Sequence, residues 1–283
     1  MGYASAQSPA TIKDYSIFIR QNTILPPVTN TSLFCDIFVR DENPGAEPIV
    51  SAANPLYKNP IMLTLYHLWL NPFCRKVRLV LLEKRMEFEM RTESVWERRD
   101  EFLAINPTGE VPVLIEHDGT ALSGSDAIVE YLDEIQPEPP LIGQTPKERA
   151  EARRLVYWFD RKFNEEVTEN LVSEKMMKRF LGLGEPDSKV VRAGHANIHT
   201  HLDYIGYLVD RRNWLAGDHL TIADLAASAH LSAIDYLGDV PWNEHPAARD
   251  WYARIKSRPS FRPLLDDHIP GAPPPKHYRD LDF

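Results

Sequence analysis

The stretch GEVPVL, Gly109–Leu114, does most to limit what this chain can fold into. A valine–proline step flanked by strand residues suggests a cis peptide, since X–Pro bonds are the only ones where the cis form costs little. Cis geometry at Pro112 is expected to turn the N–H and C=O of Val111 toward open space, where an extended peptide could pair with them. Just downstream, an HDG turn separates the strand expected over Val113–Glu116 from another over Thr120–Leu122, a hairpin signal. The next segment, LSGSDAI, starts a helix expected over Ser125–Ile135. It places Ser125 and Asp126 at a helix N-terminus, where free N–H groups can receive a carboxylate.

Upstream lies a strand expected over Met62–Leu68, followed at once by a helix from Pro72 to about Arg85. Proline is well tolerated in a first helical turn. The junction reads N-P-F-C, with Asn71 before the proline and Cys74 one turn further in. A thiolate at a helix start is stabilised by free N–H groups and the helix dipole. An amide can donate a hydrogen bond to a thiolate but cannot act as acid, base or nucleophile. Asn71 and Cys74 are therefore the candidate catalytic pair only if the chain is an enzyme; otherwise Cys74 is a structural thiol. A second strand is expected over Glu87–Thr92.

QPEPP, Gln136–Pro140, cannot be helical and reads as a linker. Beyond it, patterns of period 3.6 dominate: Lys147–Phe180, with Leu155, Phe159 and Phe163 on one stripe, then Val190–Asp210, then GDHLTIADLAASAHLSAIDYL, apolar on most faces and hence buried, then AARDWYARIKSRPSF. Thr221 and Asp224 fit a capping box, a folding element without chemistry. The boundaries expected are 1–61, an irregular and proline-rich extension; 62–136, an α/β domain; 137–145, a linker; 146–265, a helical domain; and 266–283, a proline-rich tail.

The net charge of −9 and pI near 5.6 argue against nucleic acid or an anionic membrane as the main partner. No apolar run reaches the ~18 residues of a membrane span, and the N-terminus lacks a secretory pattern. The two cysteines, Cys35 and Cys74, give no disulfide framework, and free thiols in a reducing cytoplasm are expected. His195, His199 and His201 have no acidic third ligand fixed by spacing, so no metal is expected. Tyr66 is expected to pack within its strand, His67 and Trp69 either to pack or to line a pocket mouth, and the Asp266–Asp267 pair to be solvated.

Taken in order, NPTGEVPVL, GSDAIVEYL, LTIAD and RPSF resemble the glutathione S-transferase family from about Met62 to Arg262. The resemblance implies an α/β plus all-α fold, a thioredoxin-like domain followed by a helical bundle. It also implies a glutathione site that uses Val111 and Pro112 for the cysteinyl part and Ser125 for the γ-glutamyl carboxylate. Where the family usually carries Glu or Gln before that serine, this chain has Gly124. Where its cytosolic members carry a Tyr, Ser or Cys that activates the thiol, this chain has Asn71. The site is therefore expected to be vestigial and the chain to need no cofactor, glutathione being the alternative.

The junction, the tryptophan of SVWERRDEF and the long tail resemble a branch of the family that binds the tubulin-like division polymer FtsZ. That resemblance implies a cytoplasmic homodimer recruited to the division site. Trp96 has charged neighbours and no apolar periodicity to bury it, and tryptophan, tyrosine and arginine are favoured interface anchors. The expected partner-binding residues are Trp96, Arg98 and Arg99, with Tyr278, Asp280, Asp282 and Phe283 of the tail. Deleting residues 1–61 is expected to leave the melting temperature within a few degrees, since ~1 kcal/mol moves a domain of this size by about 2–4 °C. A calorimetric scan showing a larger drop would mean that the extension docks on the fold.

Overall fold

The computed structural model describes residues 62–281. The expectations for 1–61, Asp282 and Phe283 fall outside them. Strand β1 (Leu63–His67) leads into helix α1 (Pro72–Glu83), which crosses back to β2 (Phe88–Thr92). The two strands pair in parallel, Leu63 opposite Phe88 through His67 opposite Thr92, the geometry that needs a crossover helix. A single turn (Val95–Glu97) and α2 (Asp100–Ile105) follow. Then β3 (Val113–Ile115) and β4 (Ala121–Ser123) form the expected hairpin, and α3 (Ser125–Ile135) closes the domain. The sheet order is β2-β1-β3-β4, with β3 antiparallel to both its neighbours.

All five residues of β1 are buried because the sheet is covered on both faces. Side chains alternate across a strand. Leu63 and Leu65 therefore join the core shared with α1 and α3, while Tyr66 meets Phe102 of α2, Val113 and Ile115 on the other face. The Tyr66 and Phe102 rings lie 5.5 Å apart, so Tyr66 is the packed strand tyrosine the alternation suggests.

The helical part begins with α4 (Pro146–Tyr157), whose N-terminus is closed by a Thr145–Glu148 capping box. The helix runs on through Trp158–Met177, where the winding widens to π, and ends in α5 (Lys178–Leu181). Leu155, Phe159 and Phe163 lie fully buried along one stripe, continued by Val167 and Leu171. Next come α6 (Ser188–Val209), α7 (Ile222–Leu237), α8 (Pro246–Lys256) and the short α9 (Arg262–Leu265). Helix α7 is buried from Ile222 to Tyr236. Its many alanines and serines let α1 and the Trp158–Met177 segment pack against it. The Thr221 hydroxyl accepts the Ala223 N–H, and Asp224 accepts from the N–H of Thr221 and Leu215 and from the Trp251 indole. No described helix is long and apolar enough to cross a membrane.

One expectation is overturned. Asp266 is exposed, but Asp267 is only 3% exposed. Its carboxylate accepts from Arg78 through both terminal nitrogens at 2.8 Å and from Arg75 at 3.1 Å. The two arginines stand three residues apart on α1 and so share a face. Facing the end of α9, that pair of guanidinium groups holds the Asp267 carboxylate in the interior. Arg75 also donates to the Trp69 carbonyl, Ser232 and the Tyr278 hydroxyl. Removing one partner of a buried ion pair leaves uncompensated charge, which costs about 3–5 kcal/mol. Asp267→Ala is expected to lose stability on that scale in urea unfolding; a loss below about 1 kcal/mol would contradict the anchoring role.

Candidate functional site

The candidate site grows from three backbone features at one end of the α/β domain. The first is the β1–α1 junction. Asn71 is the N-cap of α1: its backbone is extended, φ −70° and ψ 116°, and its side-chain oxygen accepts the Cys74 N–H at 3.0 Å. An N-cap residue satisfies one of the donors that a helix start leaves unpaired. The Asn71 amide oxygen is thus engaged in holding the helix.

Cys74 is fully buried, and burial pushes its thiol up to about 12, the nearby Arg78 only partly offsetting this. At neutral pH it is held as the thiol. The stabilisation expected of a helix start does not govern Cys74, because its side chain points into the core. His67 is also fully buried. Burial, reinforced by the Arg78 charge, lowers it to about 4, so it is a neutral packing residue against Trp69 at 4.6 Å.

The second feature is the Val111–Pro112 peptide, which is cis. The β3 ladder begins at Val113, and no backbone hydrogen bond among the described residues reaches Val111. The third is the start of α3. Gly124 has φ +85° and ψ 124°, a left-handed conformation that strains any residue with a Cβ, although open space surrounds it. Ser125 follows as the first helical residue and is 8% exposed.

Beside these features lies a cleft of about 490 Å³ between α1, α3 and α4 with its continuation. Phe73, Val129 and Tyr157 form its apolar walls, and Lys76, Asp126 and Asp160 its polar floor. Asn71, Val111, Pro112, Gly124 and Ser125 are not among its lining residues. Lys76, buried along its side chain, bonds the exposed Asp126 at 2.5 Å and the half-buried Asp160. Burial would raise the Asp160 carboxyl, but the Lys76 ammonium and a His230 hydrogen bond outweigh it and hold it at about 2. His230 is lowered by burial and also meets the Thr168 hydroxyl at 2.9 Å. Nothing in the sequence pattern marked this network: Lys76, Asp160 and His230 come from three helices far apart in the chain.

The residues assigned to a partner divide in two. Trp96 sits in a single tight turn and is 42% exposed. Arg98 closes that turn in the left-handed region, φ +46°. Arg99 is exposed, and its guanidinium is clamped to Glu93 by bonds of 2.5 and 3.2 Å. In the tail, Lys276–Arg279 makes a short turn that leaves Asp280 exposed. Tyr278, expected at the surface, is 0% exposed. Its hydroxyl donates to the Leu264 carbonyl and accepts from Arg75. A tyrosine in reach of a buried guanidinium and an open carbonyl gains more by packing than by staying wet.

The three histidines diverge: His195 faces Asp239 at 3.1 Å, His199 meets His245 at 2.9 Å and His201 meets Glu166 at 3.0 Å. Among the described residues no His, Cys, Asp and Glu side chains converge as metal ligands.

Known proteins complete the picture. Residues 65–140 match the glutathione S-transferase N-terminal domain and residues 188–254 the C-terminal domain. The four-stranded mixed sheet and helical bundle are that fold, and the chain belongs to the glutathione S-transferase family. It is 50% identical over 223 residues to FtsZ-localized protein A of Caulobacter vibrioides, covering 78% of this chain and 98% of that one. The solved structure of FzlA from C. crescentus superposes with a TM-score of 0.77 at 49% identity, covering 79% of this chain and all of that one. A crystal structure described as a glutathione S-transferase from Rhodospirillum rubrum superposes equally well, at 0.77, with 59% identity over 78% of this chain and all of that one.

Burial should protect Cys74 from reagents that attack thiolates. Iodoacetamide at pH 8 is expected to leave the Cys74 peptide unmodified in the native protein and to modify it fully in urea, as read by mass spectrometry. Native modification within minutes would place the thiol in an open site instead.

Proposed function

We propose that the protein is a non-catalytic, dimeric member of the family that binds the FtsZ polymer and organises it at the division site. The observation that carries this reading is the 50% identity, over almost the whole relative, to a protein named for its localisation to FtsZ. The junction chemistry supports it. Asn71 is spent on capping α1 and Cys74 is sealed in the core, so neither offers an acid, base or accessible nucleophile. Gly124 supplies no side chain at the α3 start.

The partner surface in this reading comprises Trp96, Arg98 and Arg99 on one segment and Asp280 on the other, with Asp282 and Phe283 beyond it. Tyr278 supports the tail from inside. A dimer presents two such surfaces and can bridge or bend a polymer by avidity. In the family arrangement the α/β domain of one subunit meets the helical domain of the other, and the exposed Tyr157 of α4 suits such a seal.

A second reading, a glutathione-dependent transferase or reductase of small electrophiles, draws on the unpaired Val111 backbone, on Ser125 at the start of α3, and on the 59% identity to the Rhodospirillum protein.

Co-sedimentation with assembled FtsZ is expected to pellet the wild type, and Trp96→Glu and Asp280→Lys are each expected to reduce the pelleted fraction at least several-fold while remaining folded. Wild type left in the supernatant, with retention on immobilised glutathione and turnover in the ordinary range of about 1–1000 per second, would establish the second reading. Sedimentation as a monomer at micromolar concentration would remove the bridging role.

A further inference from the structure

The C-terminal turn carries a histidine, His277, docked on a buried carboxylate. Asp235 on α7 is fully buried. Its carboxylate receives the Trp242 indole at 2.9 Å and the Tyr252 hydroxyl at 3.4 Å, and lies 3.8 Å from the Lys256 ammonium of α8. The remaining approach to this carboxylate is taken by the tail: His277 Nε2 stands 3.3 Å away, its side chain 40% exposed and so in contact with solvent protons. Lys256 also donates to the His277 carbonyl at 3.1 Å. The tail is also fixed on either side of His277. Tyr278 lies in the core with its hydroxyl pushed up to about 12, chiefly by burial, and Arg279 donates to the Leu265 carbonyl at 3.2 Å.

The charges around His277 decide the sign. From α7 it faces Asp235, from α8 Lys256, and its own segment adds Asp280, whose charge acts on Lys256. Among the described residues, an imidazolium sets a positive charge against the buried Asp235 carboxylate, opposed by the Lys256 ammonium. The hydrogen bond that the His277 ring donates to Asp235, ahead of the opposing effect of burial, raises His277 above its ordinary value of 6.5. A group raised on docking contributes fully below its undocked value, and that contribution is lost as the pH rises through the docked one. The window therefore opens at about 6.5 and extends upward from there.

We propose that residues 276–281 form a pH-sensitive latch, in which the His277 imidazolium docks on the buried Asp235 carboxylate and its deprotonation loosens the C-terminal turn that presents Asp280. The latch would tune partner capture with pH, a consequence that rests on the FtsZ-binding reading, whereas the latch itself does not. Protonation here needs no chemistry beyond exchange with water. It changes the tail's docking constant by up to tenfold per pH unit inside the window.

Hydrogen–deuterium exchange on the full chain tests this. The Tyr278 and Asp280 amides donate to the Pro275 and His277 carbonyls and so report on the turn. After correction for intrinsic exchange, their protection in the wild type is expected to fall several-fold between pH 6.5 and 8.5. In His277→Gln it should be low and flat across that range. In a parallel NMR titration of the wild type, the His277 ring should titrate with a midpoint above 6.5. Flat wild-type protection, an unchanged slope in His277→Gln, or a ring midpoint at or below 6.5 would overturn the latch. If protection steps as expected but the protein pellets with FtsZ at no pH, the latch stands and the partner reading falls.

Discussion

The Asp267 carboxylate, enclosed by Arg75 and Arg78, is the interaction on which the rest of the molecule depends. It ties α1, the helix that starts at the candidate site, to the end of the helical domain. Burying three charges carries a heavy desolvation cost, and such clusters are weak evidence for net stability. Their effect is on uniqueness. Arg75 satisfies the Trp69 carbonyl, Ser232 and Tyr278 as well as Asp267, so shifting α1 against α7 and the tail would break several of these bonds at once. The junction before α1, the α1–α7 packing and the C-terminal turn therefore share one set of hydrogen bonds.

At the candidate site, the residues that hold the backbone in shape offer little side-chain chemistry of their own. An Asn at the N-cap of α1 retains the hydrogen bond that starts the helix, and the chemistry of a hydroxyl or thiol at that position is absent. Gly124 keeps the left-handed turn into α3 without a side chain. At the floor of the cleft nearby, Lys76 is bridged between the carboxylates of Asp126 and Asp160. Structure at these positions depends on backbone geometry and caps, and a chemical function depends on side-chain identity, so the two can separate.

The tail shows the same division on a smaller scale. Tyr278, Lys256, Asp235 and His277 form a built interface, whereas Asp280 stands at its exposed edge. A surface carried on an anchored turn is pre-ordered, and binding through it avoids the entropy cost of fixing a loose segment. Trp96 is presented by a comparably tight turn, closed by the left-handed Arg98.

The sequence alone determined the elements and their order. Strand alternation at Leu63–His67, the proline at 72, the Val111–Pro112 step, the HDG turn and the Thr221–Asp224 box are local signals, set by backbone sterics and by hydrogen bonds within a few residues. Each appears in the fold close to where it was expected. What only the tertiary structure decided is the fate of charged and polar side chains. Asp267 looked solvated beside Asp266, Tyr278 looked like a surface anchor, and Cys74 stood open between a reactive and a structural thiol. All three are buried because partners far along the chain meet them: Arg75 and Arg78 of α1, the Leu264 carbonyl, and the core behind α1. The free energy of a charge or a hydroxyl depends on what lies within a few ångströms in space, and no local pattern carries that information.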